Sequence, residues 1–219
     1  RWQELQRQAT TAQLYDVEVR ILNKNQIKNN YPIINTDEIV GGILMPGDGA
    51  ADPSGVTHLL AKAARKEGAK IFEKSPVEKI LTKNGKISGV KVNGQEIECE
   101  YVVLASGMWS RQIGESVGVS IPLYAAEHFY IITEPIENLS NTLPTIRDFD
   151  NRTYIKEDAG KLLVGIFEEN SIPAWNKTSK VPEDFSFGEF QENFEHFEPY
   201  LASAIKRFPV LETTGIRKF

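Results

Sequence analysis

His128 and Tyr130 stand two residues apart in a stretch that reads as a β-strand, so an imidazole and a phenol point to one face of a sheet. Together they can hold a small molecule and exchange a proton with it. A hydrogen-bonded core histidine is the competing account of position 128. Arg152, Tyr154 and Lys156 share a strand face by the same period, and one cation among them can hold a carboxylate, as a guanidinium does through two parallel hydrogen bonds. A solvated outer face competes for Arg152 and Lys156. Gly165 falls in mid-strand, where glycine weakens a sheet unless something must come close or the strand bulges. Ser106 and Gly107 follow an apolar strand and lead into a helix at Trp109; glycine admits close approach to the backbone, and a helix start favours anionic groups. A plain strand-to-helix turn with Trp109 in the core has the same spacing. His58, His128, His196 and the single Cys99 are too dispersed in pattern to suggest a metal site.

The elements that must position these residues are marked by caps, turns and periodicity. Residues 2–15 carry Trp2, Leu5, Ala9 and Ala12 at helical spacing, and 17–22 alternate as a short strand. A helical turn over 24–30 stops at Tyr31-Pro32, because the residue before proline resists the helical region. Residues 41–45 read as a strand ending in the turn Pro46-Gly47-Asp48-Gly49. Asp52-Pro53 opens a helix, since Asp can cap free amides and Pro fits the first position. Val56, Leu59, Leu60 and Ala63 are expected to form its buried stripe before Gly68 ends it, and 70–74 is the next strand. Asn84-Gly85 and Asn93-Gly94 supply tight hairpin turns, so 77–81, 86–92 and 95–99 form a three-stranded meander. Residues 101–105 have no polar member on either face, the pattern of a parallel strand covered on both sides, and a helix follows over 109–117. Beyond Gly118, alternating strands at 125–133, 151–156 and 161–167, the last two joined by a hairpin loop at 157–160, predict an antiparallel sheet. Phe187, Phe190, Phe194, Phe197 and Leu201 mark a helical apolar stripe despite Pro199.

With 219 residues, 41% of them hydrophobic and 25% charged, the chain can build one larger domain or two small ones. A net charge of -5, with lysines scattered among Asp and Glu, provides no basic field for nucleic acid. No apolar run approaches the ~20 residues of a membrane span, and the chain opens on Arg1-Trp2-Gln3 instead of a signal peptide. One cysteine permits no internal disulfide and fits a reducing compartment.

Residues 70–118 run as strand, two hairpins, apolar strand, Ser-Gly-Met-Trp turn and helix. That order looks like the second half of a flavin-binding dinucleotide fold, although no Gly-x-Gly-x-x-Gly loop occurs anywhere in the chain. Val102-Val103-Leu104-Ala105-Ser106-Gly107-Met108-Trp109-Ser110, then Glu127-His128-Phe129-Tyr130-Ile131-Ile132-Thr133-Glu134, then Leu143-Pro144-Thr145-Ile146-Arg147-Asp148 and residues 154–168 follow in order. This succession resembles the dimethylglycine and sarcosine dehydrogenase group of the D-amino-acid-oxidase-like flavoenzymes. The terminal Gly215-Ile216-Arg217-Lys218-Phe219 is similar to the segment preceding that group's last flavin-contacting stretch. The resemblance covers essentially the whole chain and implies an internal piece of a larger enzyme. Its fold class is then α/β, mixed with α+β: a partial FAD-binding dinucleotide fold with a β-meander, plus an antiparallel-sheet substrate domain with packing helices. The implied divisions are 1–46 as a substrate-domain segment, 47–118 as the partial FAD-binding domain, and 119–219 as the substrate domain with its antiparallel sheet and C-terminal helix.

The same resemblance implies FAD as cofactor, with Val77, Ser106, Gly107 and Trp109 lining a site that is incomplete in this stretch. It implies a small methylated amine, dimethylglycine or sarcosine, oxidised by hydride transfer to flavin, with the iminium hydrolysing to formaldehyde and the demethylated amine. Tyr130 with His128 becomes the catalytic pair. Tyr154 becomes a substrate-side aromatic, and Arg152, Gly165 and Asp48 further substrate-side candidates, although Pro-Gly-Asp-Gly is first of all a turn. The implied partners are the amine, an electron acceptor and the N- and C-terminal parts of the same polypeptide, with neither nucleic acid nor membrane, in the cytoplasm or a mitochondrial matrix. A non-catalytic regulatory or scaffold relative, and a flavin oxidoreductase for another amino or hydroxy acid, share these features; the residues leave all three open.

Overall fold

Helices start where a side chain satisfies otherwise free amides, and tight strands turn where the backbone accepts a left-handed conformation; both devices recur along this chain. A computed structural model describes residues 1–178 and 180–219. Helix α1 covers Trp2–Gln13, strand β1 Arg20–Leu22 and helix α2 Lys24–Asn30. The cap of α2 is reciprocal: Asn23 Oδ1 accepts from the Gln26 N–H while Gln26 Oε1 accepts from the Asn23 N–H. Strand β2 (Gly42–Leu44) pairs antiparallel with β1. Helix α3 (Pro53–Lys66) begins as its sequence predicts, with Asp52 accepting from the N–H groups of Ser54 and Gly55. The meander β3 (Val77–Lys83), β4 (Lys86–Val92) and β5 (Gln95–Glu98) turns at Asn84-Gly85 and Asn93-Gly94, all four at positive φ. A 3-10 turn at Gly107–Trp109 leads into the short helix α4 (Ser110–Glu115). Strands β6 (Tyr130–Thr133), β7 (Ile146–Asp148), β8 (Thr153–Asp158) and β9 (Lys161–Ile166) follow, then helix α5 (Phe194–Arg207) and strand β10 (Ile216–Lys218).

The chain divides into two units, one of residues 1–50, 128–170 and 191–219, the other of 51–127 and 171–190. In the first unit five strands lie in the order β10-β6-β9-β8-β7, every neighbouring pair antiparallel. Register places Ile131, Val164, Ile155 and Ile146 side by side on one face. There Ile131, Thr133, Thr153, Ile155, Leu162, Val164 and Ile166 are buried. Helix α5 packs on β9 and buries Phe197 and Ala204, and Tyr31 meets Phe208 edge to face at 5.5 Å. Each large aliphatic or aromatic side chain so buried stabilises the unit by about 1.5–3 kcal/mol. The other face alternates out of this core and carries Tyr130, Ile132, Tyr154, Lys156, Leu163 and Gly165.

A charged knot ties three distant segments of this unit. Asp148 accepts from Arg207 Nε at 2.9 Å, from the Asn151 side chain at 2.7 Å and from the N–H groups of Asp150 and Asn151. Arg207 also donates to the Asn35 carbonyl, while its own carbonyl accepts from the Asn35 N–H. The two charged side chains are each 13% exposed. Burial pushes the Asp148 carboxyl up, but the Arg207 guanidinium and the Asn151 donors together hold it below the ordinary carboxylate value.

In the second unit, α4 is pinned to the later segment by side chains. Trp109 Nε1 donates to the Pro182 carbonyl at 2.9 Å, and the Gln112 amide both donates to the Val181 carbonyl and accepts from its N–H. Trp175 meets Phe185 edge to face and Phe190 at a 60° tilt, with centroids 4.9 and 5.2 Å apart.

Several expectations are corrected. The α3 stripe is not buried: Leu59 and Leu60 are 68% and 67% exposed, and no residue of that helix is buried. Residues 70–74 and 101–105 form no strand, and Tyr101 and Val103 are 84% and 88% exposed. A fully apolar strand needs a partner on each side to satisfy its backbone, and among the described residues none pairs with it. The strand expected over 125–133 begins at Tyr130, Ala126 making only a single bridge to Pro173. The phenylalanine helix starts at Phe194, where the Asn193 side chain caps it; Phe187 is fully exposed and Phe190 joins the Trp175 cluster. The helix expected over 109–117 is the 3-10 turn plus six residues of α4. Among the described residues no helix is long and apolar enough to cross a membrane.

Candidate active site

The outer face of the five-stranded sheet carries one row in which Tyr130, Gly165, Tyr154 and Arg147 stand directly opposite one another across β6, β9, β8 and β7. Residues opposed in antiparallel strands project to the same side, so the register gathers two phenols and a guanidinium. Gly165 makes room for this. A Cβ built there would come within 2.0 Å of Tyr154 Cζ, so the Tyr154 ring lies across the glycine and any side chain would displace it.

His128 precedes β6 instead of lying in it, which corrects the expectation that it and Tyr130 alternate along one strand. Its ring stacks on Tyr154 with centroids 6.1 Å apart and planes 11° from parallel, placing Nε2 3.5 Å from the Tyr154 hydroxyl. On its other edge Nδ1 lies 3.0 Å from Glu168 Oε2, and Glu168 Oε1 accepts from the Phe129 N–H at 3.2 Å. The Glu168 side chain is 3% exposed, whereas that of His128 is 45% exposed. Phe167 closes the group, 6.1 Å from His128 and 5.3 Å from Tyr154 between centroids, with the Arg147 guanidinium 5.7 Å above its ring. Burial pushes the Tyr154 phenol above the ordinary tyrosine value, with Tyr130 and Glu168 acting in the same direction and Arg147 opposing them.

Four of the residues singled out in the sequence, His128, Tyr130, Tyr154 and Gly165, thus meet. Arg152 does not share their strand: it sits in the turn before β8 at φ 54° and pairs with Glu169 at 2.6 Å. Asp48 stands in an exposed turn and accepts from the Gly49 N–H. Arg147, Phe167 and Glu168 were not singled out. Phe167 follows Gly165 at strand period and was open to the same reasoning; Arg147 enters only through cross-strand register.

The second unit holds Val77, Ser106, Gly107 and Trp109. Val77 opens β3 opposite Val92 and is exposed. Gly107 has φ 54°, with open space where a side chain would stand, and the Ser106 hydroxyl lies 3.5 Å from that of Ser110. Two hollows lie elsewhere. One shallow hollow is lined by Met108, Arg111, Tyr124, Trp175 and Lys180, and another by Asn35, Asp37, Glu38, Asn151, Lys206 and Arg207. Neither includes the His128 group, whose imidazole is partly exposed. Among the described residues no group of three or more His, Cys, Asp or Glu side chains is placed to hold a metal ion.

The profile of the DAO family, FAD dependent oxidoreductase, matches residues 1–218. Human mitochondrial sarcosine dehydrogenase is 35% identical over 222 residues, covering 99% of this chain and 24% of that protein. The mouse mitochondrial pyruvate dehydrogenase phosphatase regulatory subunit is 35% identical over 201 residues, covering 90% of this chain and 23% of that protein. The chain therefore spans about a quarter of the length of these relatives. Among solved structures, L-proline dehydrogenase from P. horikoshii superposes with a TM-score of 0.75 at 25% identity, over 92% of this chain and 51% of that one.

Proposed function

The chain belongs to the DAO family of FAD dependent oxidoreductases, and from that premise we propose that it forms the central part of an enzyme oxidising an N-methylated glycine, sarcosine or dimethylglycine, at the outer face of the β6–β9–β8 strands. The observation carrying this reading is the row that sets Tyr154, whose hydroxyl lies 3.5 Å from His128 Nε2, beside the exposed cation Arg147.

An N-methylated amino acid presents a carboxylate and an ammonium. Arg147 suits the carboxylate, a role for which Arg152, already paired with Glu169, is less available. The faces of Tyr154 and Phe167 suit the methyl groups and the cation. Oxidation requires the nitrogen lone pair, so the ammonium proton must leave first. The Tyr154 oxygen takes it as the phenol's own proton passes to His128 Nε2, leaving an imidazolium beside the Glu168 carboxylate. Tyr130, across Gly165, walls the other side and orients the amine. The methyl carbon gives up a hydride, and water adds to the resulting iminium to release formaldehyde and the demethylated amine. FAD, when bound, supplies the acceptor for that hydride. Exposed Val77, the Ser106 hydroxyl and the open left-handed Gly107 fit close approach of a cofactor to backbone and would hold part of it. No Gly-x-Gly-x-x-Gly loop to seat its pyrophosphate occurs among the 219 residues. The two relatives named above are mitochondrial proteins, which supports a mitochondrial setting.

The likeness to a regulatory subunit supports a second reading, a non-catalytic paralogue. Formaldehyde release separates the two. The full-length protein incubated with sarcosine or dimethylglycine and an artificial electron acceptor is expected to yield one formaldehyde per methyl group oxidised. Absence of formaldehyde from every methylated amine tried, with FAD bound, would favour the regulatory reading.

A further inference from the structure

We infer that Glu168 is the positioning residue of this site, fixing His128 in the tautomer that carries its proton on Nδ1 and so leaving Nε2 to accept from the Tyr154 hydroxyl. This rests on the proton-handling role proposed above for His128 and Tyr154.

A carboxylate accepts hydrogen bonds and donates none. Glu168 is almost wholly buried, and its two oxygens face two separate atoms, Oε1 the Phe129 N–H and Oε2 the His128 Nδ1. The first is a donor by nature. The second must be one as well, since an ionised oxygen buried against a lone pair would be left unsatisfied. The proton therefore sits on Nδ1, and the neutral ring offers a lone pair at Nε2, the atom 3.5 Å from the Tyr154 hydroxyl. Because Glu168 grips two consecutive residues, 128 by its ring and 129 by its backbone, the imidazole cannot turn without breaking its bond to the carboxylate. The direction of the relay follows: phenol to imidazole. Facing the pair are Tyr130 and Arg147 from the neighbouring strands and Glu168 itself.

Glu168→Gln makes the inference sharp because it keeps shape and size while changing one atom's character. The Phe129 N–H still demands an acceptor, so the glutamine oxygen faces it and the NH2 group turns to His128 Nδ1. A donor there drives the ring proton to Nε2, where it no longer accepts from Tyr154. The experiment is nitrogen-15 NMR of the ring of His128 in the full-length protein, alongside steady-state kinetics. The wild type is expected to show a protonated Nδ1 and a bare Nε2, and Glu168→Gln the reverse, with kcat lower by about 10²-fold and KM little changed. Glu168→Asp, which keeps the acceptor, is expected to restore the wild-type tautomer and part of kcat. A wild-type ring protonated at Nε2, or a Gln variant that is folded with an unchanged tautomer, would overturn the inference. Should the tautomer reverse in a protein that oxidises no methylated amine, the role of Glu168 stands and the proposed reaction falls.

Discussion

Tyr154 owes its place to a residue that has no side chain. Its ring covers Gly165, and it reaches His128 only because nothing projects from that position of β9. Gly165→Ala is therefore expected to expel the ring and lower kcat about as far as Tyr154→Phe does, about 10²-fold, while leaving the sheet folded; circular dichroism with single-turnover kinetics checks both halves. Arg147 has two expected effects. Its loss removes a charged partner of the substrate carboxylate, raising KM for sarcosine by about 10- to 100-fold in Arg147→Ala. It also removes a neighbour that lowers the Tyr154 phenol, so the phenolate should appear at still higher pH. An ultraviolet titration referenced to Tyr154→Phe measures this, and a downward move would contradict the geometry. Residue type drew attention to His128 and Tyr130, a glycine in mid-strand to Gly165 and the family resemblance to Tyr154, although the two-residue strand spacing expected for His128 fails because it precedes β6. Arg147 and Glu168 were not legible in the sequence, because register across strands and a contact 40 residues distant bring them in.

At the scale of elements, the segments read correctly from sequence are those whose cause is local. The Asp52 cap and the two Asn-Gly turns each need only a few consecutive residues. The β8–β9 hairpin turns instead through Ala159-Gly160, with Ala159 at φ 51°. An alanine there carries a steric cost of about 1–2 kcal/mol, so Ala159→Asn is expected to raise stability by about 1 kcal/mol in urea unfolding. The Asp148–Arg207 knot acts through charge. Its carboxyl titrates lower in the folded than in the unfolded chain, so its contribution is complete above the unfolded value near ~4 and is lost as pH falls through the lower native value. Asp148→Asn leaves Arg207 buried without its counter-charge, costing about 3 kcal/mol at neutral pH. The deficit should begin to shrink below pH ~4, where the unfolded chain takes up the proton, and close as pH falls through the lower native value. A constant deficit across pH would show that shape, not charge, sustains the knot.

For the molecule as a whole, what escaped the sequence is whatever depends on partners outside the segment concerned. Residues 101–105 and the α3 stripe have the composition of covered elements, yet Leu59, Leu60, Tyr101 and Val103 face outward. The isolated 219-residue chain is accordingly expected to enhance the fluorescence of an apolar dye, and Leu59→Glu with Leu60→Lys to reduce that signal without unfolding the first unit. The antiparallel sheet needs no such partner: β6 to β10 find one another within the chain, and the amine chemistry is proposed for that sheet. The most direct measurement is the visible spectrum of the full-length, FAD-loaded protein mixed anaerobically with sarcosine and with dimethylglycine, in the wild type and in Tyr154→Phe. Rapid bleaching of the 450 nm band on the order of seconds or faster in the wild type, slowed about 10²-fold in the variant, is the expected result. Bleaching at equal rates in the two proteins would remove the sheet face from the reaction, and no bleaching by any methylated amine would remove the reaction from the protein.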